Sequence, residues 1–291
     1  AACRVFSGTR GAEVHEGLSF CLSLPLDVPG GQVLNARRMA PRLFGTLRDG
    51  PSAGAQGFCW SYASEQAHLT DVVCDEVLLM NTQYSTQWDG LAHIGGRFDA
   101  DGDGVDEAVF YNGFRAGTDL RAGRTDEQAV TSWARYPDPD AGALGVANLA
   151  RHGAQGRGVL IDLEHHLGRR REAVGFETLM RVLDADGIVV EAGDMVCVHT
   201  GYADTLLAMN RHPNVQRLHE TGSGLDGSDT RLLQWITDVR LACLVADNPA
   251  VELIPSPTLS TAQPLRGPRL PLHEHCLFKN DIHLNELWWL T

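Results

Sequence analysis

Lysine occurs once in this chain, at Lys279; all the other side chains among its 24 cations are arginine, a compositional bias rather than a site. Cationic residues are outnumbered by 37 acidic ones, for a formal charge of −13. That balance argues against nucleic acid and anionic membrane as main partners, since phosphate contacts need clustered cations. No apolar stretch approaches the roughly 20 residues needed to span a bilayer. There is no nucleotide fingerprint either, and Gly222-Ser223-Gly224 is too short to cradle phosphate. No Cys-x-x-Cys pair occurs among Cys3, Cys21, Cys59, Cys74, Cys197, Cys243 and Cys276. These lie far apart, are odd in number, and in part sit in apolar runs such as Met195-Val196-Cys197-Val198. The pattern reads as buried reduced thiols rather than a disulfide framework. Ala1 to Phe6 lack the charged start and apolar core of a signal peptide, so a cytoplasmic location is expected.

What is present is a chain of 291 residues, 43% hydrophobic and 21% charged, enough for one large domain or two small ones. Residues 1–60 are rich in Gly and Pro and read as an irregular segment that packs on the core or on a neighbouring subunit. The near alternation of Leu18 to Leu24 predicts a half-buried strand there. Further strands are expected over 75–82, 156–163 (the clearest buried one), 194–200 and 241–248. Helical spacing marks about 126–135, then Phe176, Leu179, Met180 and Leu183 with a stop at Gly187, and a stretch beginning at Leu232. Seven glycines in 95–125 predict a long loop with at most short strands. Pro255, Pro257, Pro264 and Pro268 mark a connection, and the apolar end 284–290 is expected to return to the core. Strands alternating with helices indicate an α/β or α+β domain.

The chemistry concentrates in Thr86-Gln87-Trp88-Asp89-Gly90-Leu91-Ala92-His93, together with His273 and Glu286. Two imidazoles and two carboxylates suit a divalent metal, or a water to be held and deprotonated, if the fold joins the two distant segments. Asp99-Ala100-Asp101-Gly102-Asp103-Gly104 opens like a calcium loop, but its twelfth position is Phe110 rather than a bidentate Glu. It therefore reads as an acidic turn or a nonstandard site. His165-His166 beside Arg169-Arg170-Arg171 reads as a solvated loop, His152-Gly153 as a structural turn, and His283 as solvent-facing.

In these residues the chain resembles the cyclase-type metal-dependent hydrolases, a group that includes bacterial kynurenine formamidase and isatin hydrolase. The resemblance runs from about residue 60 onward. It rests on the Thr86–His93 run, Tyr111-Asn112-Gly113, His152 to Asp162, Gly193 to Tyr202, Ala246-Asp247-Asn248 with Val251-Glu252, and Leu272-His273 to Glu286. It implies a swivelling β/α/β-type single domain, with a central mixed sheet or barrel flanked by helices, and a cyclase-like catalytic domain over 61–291. The family motif His-x-Gly-Thr-His-x-Asp-x-x-x-His falls on Gln83, Ser85, Thr86, Gln87, Asp89 and His93. Asp89 and His93 match, while Gln83 and Gln87 replace two imidazoles. The family's C-terminal His and Glu fall on His273 and Glu286, with His275 a competing alignment for the former.

The implied site has Asp89, His93, His273 and Glu286 as ligands of one divalent metal, Zn or Mn. His273, Glu286, His93 and Gln87 act on the substrate. A metal-free version is equally coherent: Asp89 orients a histidine base and the Gln87 amide donates to a developing oxyanion. Trp88, Tyr111, Trp60 and His199, with Phe110, are candidates to line an aromatic pocket. The expected function is hydrolysis, or ring closure, at an amide, lactone or cyclic imide carbonyl of a small molecule, aromatic or polyketide-like. The alternative is a non-catalytic small-molecule-binding relative that has lost its metal. A homo-oligomer, dimer or tetramer, is expected.

Overall fold

A computed structural model of the protein describes residues 16–50, 53–123, 139–255 and 267–291. The chain forms two compact units. The smaller takes in Pro25–Ser85 and Leu206–Asn214; the larger takes in the rest of the described residues. The boundary expected at residue 60 falls inside the smaller unit.

In the smaller unit, β1 (Arg42–Gly45) and β4 (Glu76–Leu79) pair antiparallel, as do β2 (Trp60–Ser61) and β3 (Val72–Val73). The strand expected over 75–82 is present as β4, with Val77 and Leu79 turned inward and Glu76 and Leu78 outward. Gly30, at φ +89, allows a close pass of the two chain segments; a Cβ there would lie 2.3 Å from Arg211 O. Arg211 Nε donates to Asp27 Oδ2 at 2.6 Å beside it.

The larger unit is built on a mixed sheet. Its strands are β5 (Gln87–Trp88), β8 (Gly158–Asp162), β10 (Met195–His199), β12 (Cys243–Ala246) and β13 (His283–Glu286), in the order β5-β13-β12-β10-β8. All run parallel except β5, which is antiparallel to β13. Short ladders β6 (Gly96–Phe98) with β7 (Glu107–Val109), and β9 (Ala173–Val174) with β11 (Gly224–Leu225), lie outside it. Helices α1 (Val146–His152), α2 (Leu163–Leu167), α3 (Phe176–Asp186), α4 (Tyr202–Ala208), α5 (Val215–Glu220), α6 (Thr230–Val239) and α7 (Pro271–His273) follow in chain order.

One face of the sheet, with Ile161, Val196, Val198, Leu244 and Leu284, packs on Leu179, Val182 and Leu183 of α3 and Leu232 and Ile236 of α6. Each such side chain contributes about 1.5–3 kcal/mol by leaving water. Asp229 caps α6 by accepting from Arg231 N and Leu232 N, and its other oxygen accepts from Phe176 N at 2.7 Å. One carboxylate thus fixes the starts of both core helices. Gly187 ends α3 in the left-handed conformation, φ +63, where the spacing placed the stop.

Three expectations are corrected. Residues 18–24 form no regular strand: Ser23 makes one bridge to Trp288, while Leu18 and Phe20 are 67% and 76% exposed. Alternation without a neighbouring strand gives no ladder. β8 is buried on one face only, because it is the sheet's edge, and Leu160 is 48% exposed. His165-His166 sits on helix α2 rather than in a loop. The helix expected over about 126–135, and most of the 255–270 connection, lie outside the described residues.

Candidate active site

The site begins with strand pairing. The β5–β13 register sets Gln87 opposite Glu286, and Asp89 N donates to Leu284 O at 2.8 Å, extending the pairing by one residue. The chain then turns, with His93 N donating to Gly90 O at 2.9 Å, which brings His93 back over Asp89. His93 Nε2 lies 4.0 Å from Asp89 Oδ1. Gln87, Asp89 and Glu286 are all buried. Gln87 Nε2 donates to Glu286 Oε2 at 2.8 Å and to Asp89 Oδ1 at 3.4 Å. Its amide hydrogens are therefore engaged by carboxylates, which removes the oxyanion-donor role expected of Gln87. What remains is Gln87 Oε1, buried without a hydrogen-bond partner among the described residues.

His273 arrives from the other segment. The Pro271–His273 turn runs directly into a π-helical turn, Glu274–Lys279, an irregularity common at functional sites. Its orienting group is Glu252. Glu252 Oε1 accepts from His273 Nδ1 at 2.7 Å and from His273 N at 3.1 Å, while Oε2 accepts from Leu272 N at 3.3 Å. Gly227 makes room for this approach, since a Cβ there would lie 2.4 Å from Glu252 Oε2. With Nδ1 committed, Nε2 points to Glu286 Oε1 at 3.3 Å and Asp89 Oδ2 at 3.8 Å. The His93 and His273 rings are 6.1 Å apart between centroids. His275, the competing alignment, instead lies 2.8 Å from Thr237 Oγ1, so His273 is the histidine of this cluster.

The electrostatics favour a cation. Asp89, Glu252 and Glu286 bring three carboxylates into a buried site where His273 is the one fully buried base. Burial alone would lower the His273 pKa, but its hydrogen bonds to Glu252 and Glu286, and their charges, overcome this and raise it to about 10. Imidazolium balances one charge; a divalent ion would balance the pair facing the centre, Asp89 and Glu286. Asp89, His93 and His273 each offer a ligand atom, all within 4.8 Å of one another. Glu286 and the orphaned Gln87 Oε1 add oxygen donors. Such a mixed N/O set fits Zn or Mn.

The other expected residues divide. Trp88, on the opposite face of β5, packs against His283 and Trp288 with ring centroids 6.3 and 5.7 Å away. His283 is half-buried rather than solvent-facing, and its Nδ1 donates to Asp89 O at 2.8 Å, anchoring the ligand loop. Thr86 Oγ1 accepts from Leu24 N at 2.8 Å and donates to Leu287 O at 2.5 Å. Tyr111 is half-exposed, and its hydroxyl is raised in pKa chiefly by the charge of Asp281. Phe110 lies against Gly95. His199 joins a different group: Nδ1 donates to Asp162 Oδ1 at 2.9 Å, and Nε2 is 3.4 Å from Glu164 Oε2. That second acidic group is already held by Arg169, which pairs with Glu164 and Asp204. In the smaller unit, Trp60 lies under the Arg48 guanidinium, Gln83 Oε1 accepts from Arg38 Nη2 at 3.3 Å, and Ser85 Oγ donates to Pro25 O at 2.9 Å. Glu252 and His283 were given no role from sequence. Both lie in segments that carry the family resemblance, but what each does was not legible, since each acts through a segment distant in the chain.

A family model described as "Putative cyclase" matches residues 22–253. Among solved structures, the chain is similar to one described as a novel cyclase, with TM-score 0.58 and 24% identity over 93% of this chain and 74% of that one. It is also similar to isatin hydrolase A from Ralstonia solanacearum, with TM-score 0.50 and 11% identity over 92% of this chain and 77% of the other. At these identities the likeness is one of fold. No curated protein matches the chain significantly.

Proposed function

The chain belongs to the cyclase family whose model it matches over residues 22–253, and from that premise we propose that it is a hydrolase or cyclase acting at a carbonyl carbon. The substrate class is an amide, lactone or cyclic imide of a small, aromatic or polyketide-like molecule. The observation that carries this reading is the convergence of Asp89, His93, His273 and Glu286, from segments about 180 residues apart in sequence, on one buried group.

Asp89, His93, His273 and Glu286, with Gln87 Oε1, are the residues that would hold a divalent metal. When bound, such an ion polarises a carbonyl and makes a bound water more acidic. The remaining work falls to side chains. Glu286, steadied by the Gln87 amide, is the acceptor for a proton leaving the attacking water or an internal hydroxyl. His273, with Nδ1 locked to Glu252, keeps Nε2 for the centre: that nitrogen would bind the ion where one is held, and in the metal-free form it carries the proton that is returned to the leaving group. His93, whose side chain is 25% exposed, is the solvent-side member and the one that meets substrate. A homo-oligomer, dimer or tetramer, belongs to the same proposal.

The second reading, a binder without turnover, is favoured by the glutamines at positions 83 and 87, where the family motif has imidazoles. Metal analysis of the purified protein, followed by assay of aryl formamides, lactones and cyclic imides, separates the two. The enzyme reading expects turnover of one class and a loss of roughly 100-fold or more in His273→Ala, on the scale of removing a general acid or base. Binding without turnover, or full activity in His273→Ala, overturns it.

A further inference from the structure

Two cysteines distant in sequence meet across the β2–β3 hairpin. Trp60 pairs with Val73 and Ser61 with Val72, and just outside this ladder Cys59 meets Cys74. Their Sγ atoms are 3.7 Å apart, and Cys59 N donates to Cys74 Sγ at 3.2 Å. Both are exposed. Cys59 also holds the left-handed conformation, φ +56, which a residue with a Cβ adopts only where its surroundings impose it.

The Cys59 thiol is itself raised by its hydrogen bond with Cys74, so what separates this pair from the other thiols is exposure and proximity. Burial pushes Cys197 up to about 11 and Cys243 up to about 12, leaving little thiolate at neutral pH, and Cys276 is fully buried. Cys21 is exposed, and its described contact is the carbonyl of Ser23, not a second thiol.

The 3.7 Å approach of the two Sγ atoms, with the Cys59 N–H donating to Cys74 Sγ, brings both thiols close enough for a bond. Closing the pair needs a side-chain movement of under about 2 Å, because an S–S bond is about 2.05 Å long.

We propose that Cys59 and Cys74 are an oxidative modification site that closes to an intramolecular disulfide when a peroxide-class oxidant reaches it. One thiolate attacks the peroxide; the O–O bond breaks, hydroxide leaves, and a sulfenic acid forms on that sulfur. The second thiolate attacks the sulfenyl sulfur; the S–S bond forms, the S–O bond breaks, and the oxygen departs as water with the released proton. Two thiols are oxidised and one peroxide is reduced to two waters. The site stands independently of the proposed catalytic reading.

The test treats the intact protein with hydrogen peroxide, alkylates the remaining thiols, and maps peptides without reduction. The expected result is one linked peptide joining Cys59 to Cys74, lighter by two hydrogens, with joint loss of alkylation at both positions and recovery by dithiothreitol. In Cys59→Ser or Cys74→Ser the remaining thiol takes up the sulfenic acid or an alkyl group, and the linked peptide disappears. Full alkylation of both positions in the oxidised wild-type protein, or separate sulfinic acids with no linked peptide, overturns the proposal.

Discussion

His273 has both ring nitrogens occupied by carboxylates from different segments, Glu252 on Nδ1 and Glu286 on Nε2. Glu252 does not face the reacting centre in the proposed mechanism; it sets which nitrogen does. Glu252→Gln keeps an acceptor for Nδ1–H and removes the charge, so it isolates that contribution. The expected outcome is a 10–100-fold loss in kcat or metal affinity, the usual size for an orienting partner of a metal-binding histidine, with thermal unfolding remaining cooperative. Unchanged kcat and metal content would remove Glu252 from the site. Asp89, His93, His273 and Glu286 were legible because their order and spacing repeat a motif. Glu252 was legible only as part of a matching segment and not as the partner of His273, because that function exists only once Gly227 lets the carboxylate approach Leu272 N. Likewise, histidines at 273 and 275 are equivalent on paper; they part company only where Thr237 captures the second.

Among elements, apolar patterning succeeded where a helix buries one face or a strand is covered on both. α3 has its Gly187 stop, and β10 and β12 are near-continuous apolar runs because parallel strands inside a sheet are covered on both sides. It failed at Leu18–Leu24, where the alternation is real but, among the described residues, the pairing is a single bridge from Ser23 to Trp288. The acidic turn after β6 shows the opposite case, a calcium-loop opening whose twelfth position is Phe110. Asp99 accepts from Gly102 N, Asp103 N and Gly104 N, Glu107 accepts from Ala100 N, and Asp101 pairs with Arg115. These oxygens are already occupied by backbone N–H groups and a guanidinium, so the turn needs no ion to hold its shape. Calcium titration is therefore expected to leave Tm unchanged. A saturable rise, lost in Asp99→Asn, would show that the turn is a cation site.

For the whole molecule, the charge balance of the buried site couples protonation to stability. In the metal-free protein the folded-state pKa of His273, about 10, lies above its unfolded value of 6.5. A raised folded pKa means that the folded form binds the extra proton, so this stabilisation is complete below about pH 6.5 and drains away as pH rises through about 10. Tm measured with chelator present should accordingly fall between neutral pH and about 10, and His273→Gln should flatten that slope. Added zinc or manganese should reverse the trend. A metal that uses His273 Nε2 must displace the proton there, so its affinity, and the Tm increment it gives, should grow over the same range as protons become easier to release. Opposite slopes with and without metal are the signature of one nitrogen shared between proton and ion. A metal increment independent of pH, or a metal-free curve that His273→Gln does not alter, would show that the ion and His273 occupy different places in the protein.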